Sequence, residues 1–101
     1  MSMKVCLQTE AGTAIAEVSD LNDVITSLAE TACHQRLEIA HTIDRYGDTV
    51  FNRLQVPMLV KDLDRMLANA SSEQTPVLRR VQSLAERVAE EPHLYLKFMG
   101  D

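Results

Sequence analysis

Tryptophan is absent from this sequence, and two tyrosines and two phenylalanines are its only aromatic residues. Four dispersed rings (Tyr46, Phe51, Tyr95, Phe98) make no platform on which nucleic-acid bases stack. Glycine occurs three times, each time alone. That excludes a glycine-rich phosphate loop, and no G-x-S-x-G nucleophile elbow is present. Ten basic residues face fifteen acidic ones, without a Lys/Arg cluster, and the net charge is −5. A nucleic-acid partner is therefore not expected, because phosphate contacts need concentrated cations. No apolar run approaches the length of a membrane span. The start Met1-Ser2-Met3-Lys4-Val5-Cys6 lacks the apolar core of a signal peptide. With two cysteines, Cys6 and Cys33, the reading is a cytoplasmic protein with free thiols. Spacing alone leaves a Cys6–Cys33 disulfide open.

What is present describes one domain over residues 1–101. The apolar fraction is 46% and the charged fraction 25%, ordinary for a packed soluble domain. Residues 3–9 alternate, with Met3, Val5, Leu7 and Thr9 on one face, which is strand periodicity. Glu10-Ala11-Gly12 makes a short connection, and Gly12 is free to take positive φ. Residues 13–18 read as the return strand of a hairpin. Asp20 and Asp23 mark a helix start. Leu21, Val24, Ile25, Leu28 and Ala32 then form an apolar stripe running to about Cys33.

Residues 37–43 are ambiguous. Leu37, Ile39, His41 and Ile43 alternate as in a strand, yet Leu28, Ala32, Ile39 and Ile43 fit a continued helix with no Gly or Pro to stop it. A short extended segment is the expectation. Pro57 opens a second helix with Leu59, Val60, Leu63, Met66, Leu67 and Ala70 inward, and Lys61, Asp62, Asp64, Arg65 and Asn69 outward. Thr75-Pro76 opens a third, with Val77, Leu78, Val81, Leu84, Ala85 and Val88 inward. The outward acidic groups read as a solvated face, or as an acidic surface for a basic partner. Glu91-Pro92 ends that helix, and residues 93–99 alternate as a strand. The expected fold is α+β: a small, mostly antiparallel sheet, built from the N-terminal hairpin and the C-terminal strand, with about three helices on one face.

The stretch Asp44-Arg45-Tyr46-Gly47-Asp48-Thr49-Val50-Phe51-Asn52 stands apart from this packing pattern. Tyr46-Gly47-Asp48-Thr49-Val50-Phe51-Asn52, followed by Gln55 and the Leu59/Leu63/Leu67 helix, and the His93-Leu94-Tyr95-Leu96 to Gly100-Asp101 ending resemble segments of a group of small uncharacterised bacterial proteins. That group carries Pro where this chain has Arg45. The resemblance covers roughly the second half of the chain and implies a shared fold without an activity.

Read from its residues, the stretch is a candidate binding site of Asp44, Tyr46, Asp48 and Asn52 with His41 nearby. These groups suit acid–base work or the holding of a hard cation. The plainer reading is a structural turn. Gly47 would take the left-handed conformation, Asp48 would cap, Thr49 and Asn52 would satisfy backbone groups, and Tyr46 and Phe51 would anchor the loop in the core. Cys33-His34 with His41 and Asp44 invites a zinc reading, but the spacings match no closed structural zinc site, and no metal or cofactor is expected. Three functions follow as expectations: a cytoplasmic protein–protein interaction module of regulatory or immunity type, a small ligand binder or enzyme at Asp44, Tyr46 and Asp48, and a homodimer paired through a sheet edge.

Overall fold

A computed structural model describes residues 3–19 and 24–100. The expected helix-start signals at Asp20 and Asp23, and Leu21 of the stripe, lie outside the described residues. The elements run β1 (Lys4–Thr9), β2 (Ala14–Ser19), α1 (Val24–Gln35), a single 3-10 turn (Ala40–Thr42), β3 (Asp48–Phe51), α2 (Val56–Leu67), α3 (Gln74–Glu90) and β4 (Leu94–Met99). The strands form one antiparallel sheet in the order β2-β1-β4-β3. The α+β fold is thus as expected. The central stretch adds a fourth strand, β3, which the sequence reading had taken for a turn.

Strand periodicity sorts the sheet into two faces. Val5, Leu7, Val18, Phe51, Leu94, Leu96 and Phe98 are buried together with the inward faces of the helices. The Phe51 and Phe98 rings meet edge to face, 5.7 Å between centroids, a geometry favoured by the ring quadrupoles. The opposite face carries Lys4, Gln8, Glu17, Asp48, Val50, Tyr95, Lys97 and Met99, all half-buried or exposed. Ion pairs Lys4–Glu17 (3.7 Å) and Lys97–Asp48 (3.4 Å) span neighbouring strands there.

Cys6 sits in the middle of that polar face and is nevertheless buried. Its thiol lies 3.7 Å from Glu17 Oε1 and 3.5 Å from Met99 Sδ. Burial, then the Glu17 carboxylate, pushes the thiol above its ordinary value of 9.0, against the opposing pull of Lys4 and Lys97. A group whose folded value is raised stabilises fully below its unfolded value, and that contribution is lost as pH climbs through the folded one. Stability to urea is therefore expected to fall above pH 9 more steeply in the wild type than in Cys6→Ala. Parallel slopes for the two proteins would remove this reading.

The end of α1 explains residues 37–43. Arg36 takes a left-handed φ of 51°, and Leu37 N–H donates to Ala32 C=O at 3.2 Å. This is a Schellman ending without its usual glycine, so the helix stops where no Gly or Pro marks it. The expected extended segment does not form. Leu37, Ile39, Ala40 and Ile43 are buried while His41 is exposed, around the 3-10 turn.

What holds that turn is Asp62 of α2. Its carboxylate accepts N–H bonds from Glu38 (3.0 Å), Ile39 (2.9 Å) and Ala40 (2.8 Å). Asp62 was expected on the solvated face with Lys61, Asp64, Arg65 and Asn69. Those four are outward or exposed, but Asp62 is fully buried. The reason is helical geometry: position 62 follows Leu59 by three and precedes Met66 by four, so it lies within the inward stripe.

Candidate functional site

The candidate residues are placed by three different devices. Asn52 caps α2. Its Oδ1 accepts N–H bonds from Leu54 (2.9 Å) and Gln55 (3.0 Å), and Gln55 Oε1 accepts the Asn52 N–H at 2.9 Å. This is a capping box. A second one opens α3, where Ser71 Oγ accepts from Gln74 N–H (3.2 Å) and Gln74 Oε1 from Ser71 N–H (3.0 Å). Thr75 donates its hydroxyl to Ser71 C=O. Removing the Asn52 cap in Asn52→Ala should cost about 1 kcal/mol, and Asn52→Asp should restore most of it. Chemical denaturation of the two variants checks this; equal losses in both would mean the side chain acts otherwise.

Asp44, and not Asp48, makes the side-chain bond of the turn. Asp44 Oδ1 accepts the Tyr46 N–H at 2.8 Å, an Asx turn, and Asp44 N–H donates to Thr49 Oγ1 at 2.9 Å. Asp48 makes no cap; it opens β3 and pairs with Lys97. Gly47 does not take the left-handed conformation: Gly12, at φ 86°, is the only described glycine that does. Phe51 anchors the stretch in the core, whereas Tyr46 is 65% exposed. The turn is closed by a residue that the reading left unused. Gly100 N–H donates to Gly47 C=O at 2.7 Å, so the end of β4 lies against the backbone of residues 45–47.

His41, Asp44 and Tyr46 do come together. They line one cleft with Glu30, His34 and Arg45. Arg45 Nη1 pairs with Glu30 Oε1 at 2.7 Å. Its Nη2 donates to Tyr46 Oη at 3.2 Å, and its guanidinium carbon lies 5.2 Å from the Tyr46 ring centroid. Arg45 Nε is buried without a hydrogen-bond partner among the described residues. His41 Nδ1 lies 2.8 Å from Leu37 C=O. A carbonyl only accepts, so Nδ1 carries the proton and Nε2 of the neutral ring is left as an acceptor. Asp48 and Asn52 do not line this cleft. Asn52 lines another, with Leu54, His93 and Tyr95. Among the described residues, no group of three or more His, Cys, Asp or Glu side chains is placed to hold a metal ion. None of the described helices is long and apolar enough to cross a membrane.

Exposed apolar side chains also stand in β3 and the segments that flank it, unmarked by the sequence pattern. Tyr46, Val50, Leu54 and Met58 are all exposed, Leu54 by 81%. Leu54 stands in the cap of α2, with Met58 four residues on. The signal available was an apolar side chain inside the Asn52–Gln55 capping box, where it has no inward face to occupy. No protein-family model matches this chain, and comparison with curated proteins and with solved structures gave no match.

Proposed function

We propose that this protein is a small cytoplasmic protein–protein interaction module, a binding partner of regulatory or immunity type. One observation carries the reading. Of the five large apolar side chains that are exposed among the described residues, Tyr46, Val50, Leu54 and Met58 fall within residues 46–58, in β3 and the segments that flank it, and only Ile15 lies elsewhere in the sequence. Single exposed apolar residues are normal, but a group of them marks a contact surface. β3 is also an edge strand, which offers backbone groups for pairing with an extended segment of a partner. The acidic net charge favours a basic partner by steering its approach. Kinship to the small bacterial proteins that resemble residues 46–52 and 93–101 belongs to the same proposal and adds no activity.

The test is affinity capture with the wild type and the double variant Val50→Thr, Leu54→Ser. Both side chains are exposed, so stability should change by less than about 0.5 kcal/mol. The expected result is a protein held stoichiometrically by the wild type and lost from the variant. Equal capture by both, or no stoichiometric protein, would overturn the reading. A concentration-dependent mass of twice 11.3 kDa would make a second copy the partner.

One observation favours a second reading, a small ligand binder or enzyme: His41, Asp44 and Tyr46 share a cleft with His34 and Arg45. It predicts a ligand whose thermal stabilisation of the protein disappears in both His41→Ala and Tyr46→Phe. A ligand that stabilises these variants as well as the wild type lies elsewhere.

A further inference from the structure

We propose that a second cleft, between the three helices, binds an uncharged nitrogen heterocycle of nucleobase size. It encloses about 230 Å³. That is below the ~300–1,000 Å³ of drug-sized sites and restricts the occupant to a single ring system. The deepest lining side chains are Leu28 of α1 and Leu78 of α3, both buried. Met66 of α2 lies beside them, and a thioether makes favourable contacts with a ring edge.

Val24 completes the apolar part, and the rest of the described lining is polar. Ser27, Thr31 and Gln35 stand four residues apart along α1 and form one hydrogen-bonding ridge, with Asn69 across the cleft. None of these four side chains carries a hydrogen bond to another described group. Their neighbours on the stripe, Val24, Leu28 and Ala32, are buried. The helix therefore turns unpaired hydroxyls and a carboxamide towards the seam between the helices. A carboxamide presents a donor and an acceptor side by side, the pattern that the edge of a heterocycle complements. An apolar floor takes the face of such a ring. No described lining residue is charged, so the described lining supplies no cation to a phosphate. The ligand is a free base rather than a nucleotide. This site is separate from the surface beside β3 and from the cleft at His41.

Titration calorimetry of the full chain with adenine, cytosine and uracil, and with AMP as a charged comparison, tests the proposal. The expected result is saturable 1:1 binding of at least one base below about 1 mM, with AMP no tighter than adenine. The double variant Gln35→Ala, Asn69→Ala removes two exposed side chains, and its melting temperature should be unchanged. Affinity should fall by about tenfold or more in that variant. No saturable binding of any base, binding that the double variant leaves intact, or AMP binding much more tightly than adenine would each overturn it.

Discussion

Asp62→Ala is expected to lower the unfolding free energy by roughly 3–5 kcal/mol, a large share of the ~5–15 kcal/mol that holds a domain together. The carboxylate is the acceptor for three successive backbone N–H groups, and those of Ile39 and Ala40 are buried. Alanine leaves both without a partner, at about 1–3 kcal/mol each, and opens a cavity besides. Glu38 N–H is only partly buried and regains water. Relief from burying a charge offsets part of the loss, which keeps the figure below the sum of its parts. Asp62→Asn keeps the volume and one acceptor oxygen, so it should be milder. Urea denaturation gives the totals. Amide exchange gives the locality: Ile39 and Ala40 should lose protection before the sheet does. An unchanged midpoint in Asp62→Ala would mean that the carboxylate does not hold the turn. The same turn carries His41, so this variant also disturbs the cleft at His41.

Gly100→Ala should cost about 2–3 kcal/mol, at the upper end of what overpacking usually costs. A Cβ there would lie 2.5 Å from Gly47 O, and 2.6 Å from both Arg45 O and Gly47 N. All three are backbone atoms and have no rotamer to retreat into. The strand end must move away, and the Gly100–Gly47 hydrogen bond goes with it. Gly47→Ala is the control. Its Cβ would meet Asp44 Oδ2 at 2.8 Å, the far end of a flexible side chain, and its backbone is not left-handed. It should cost about 1 kcal/mol or less. Thermal unfolding of the pair checks the order. A Gly47→Ala loss equal to that of Gly100→Ala would contradict the close approach of the two segments.

Periodicity made much of the fold legible. β1, β4, α2 and α3 each repeat their apolar residues often enough to declare both type and inward face, and β2 was legible as the return strand without its face. Gly12 supplies the positive φ that the hairpin connection requires. The failures share a cause: they depend on residues far away in the chain. α1 stops at a left-handed arginine, and the segment after it is shaped by Asp62, more than twenty residues on. β3 has four residues, too few for alternation to show, and is defined by its pairing with β4. The candidate site was sorted by near and distant partners alike. Asp44, Tyr46 and His41 line one cleft, but Asp48 was drawn off by Lys97 and Asn52 by the start of α2. Met58 gave no signal as a surface until α2 was oriented on the core.

Hydrogen–deuterium exchange on the captured complex locates the interface directly. The proposal that this protein works through the surface beside β3 predicts slowed exchange in residues 48–58 on partner binding, with residues 27–35 of α1 unchanged. Slowing confined to α1, or to the cleft at His34 and His41, would contradict it.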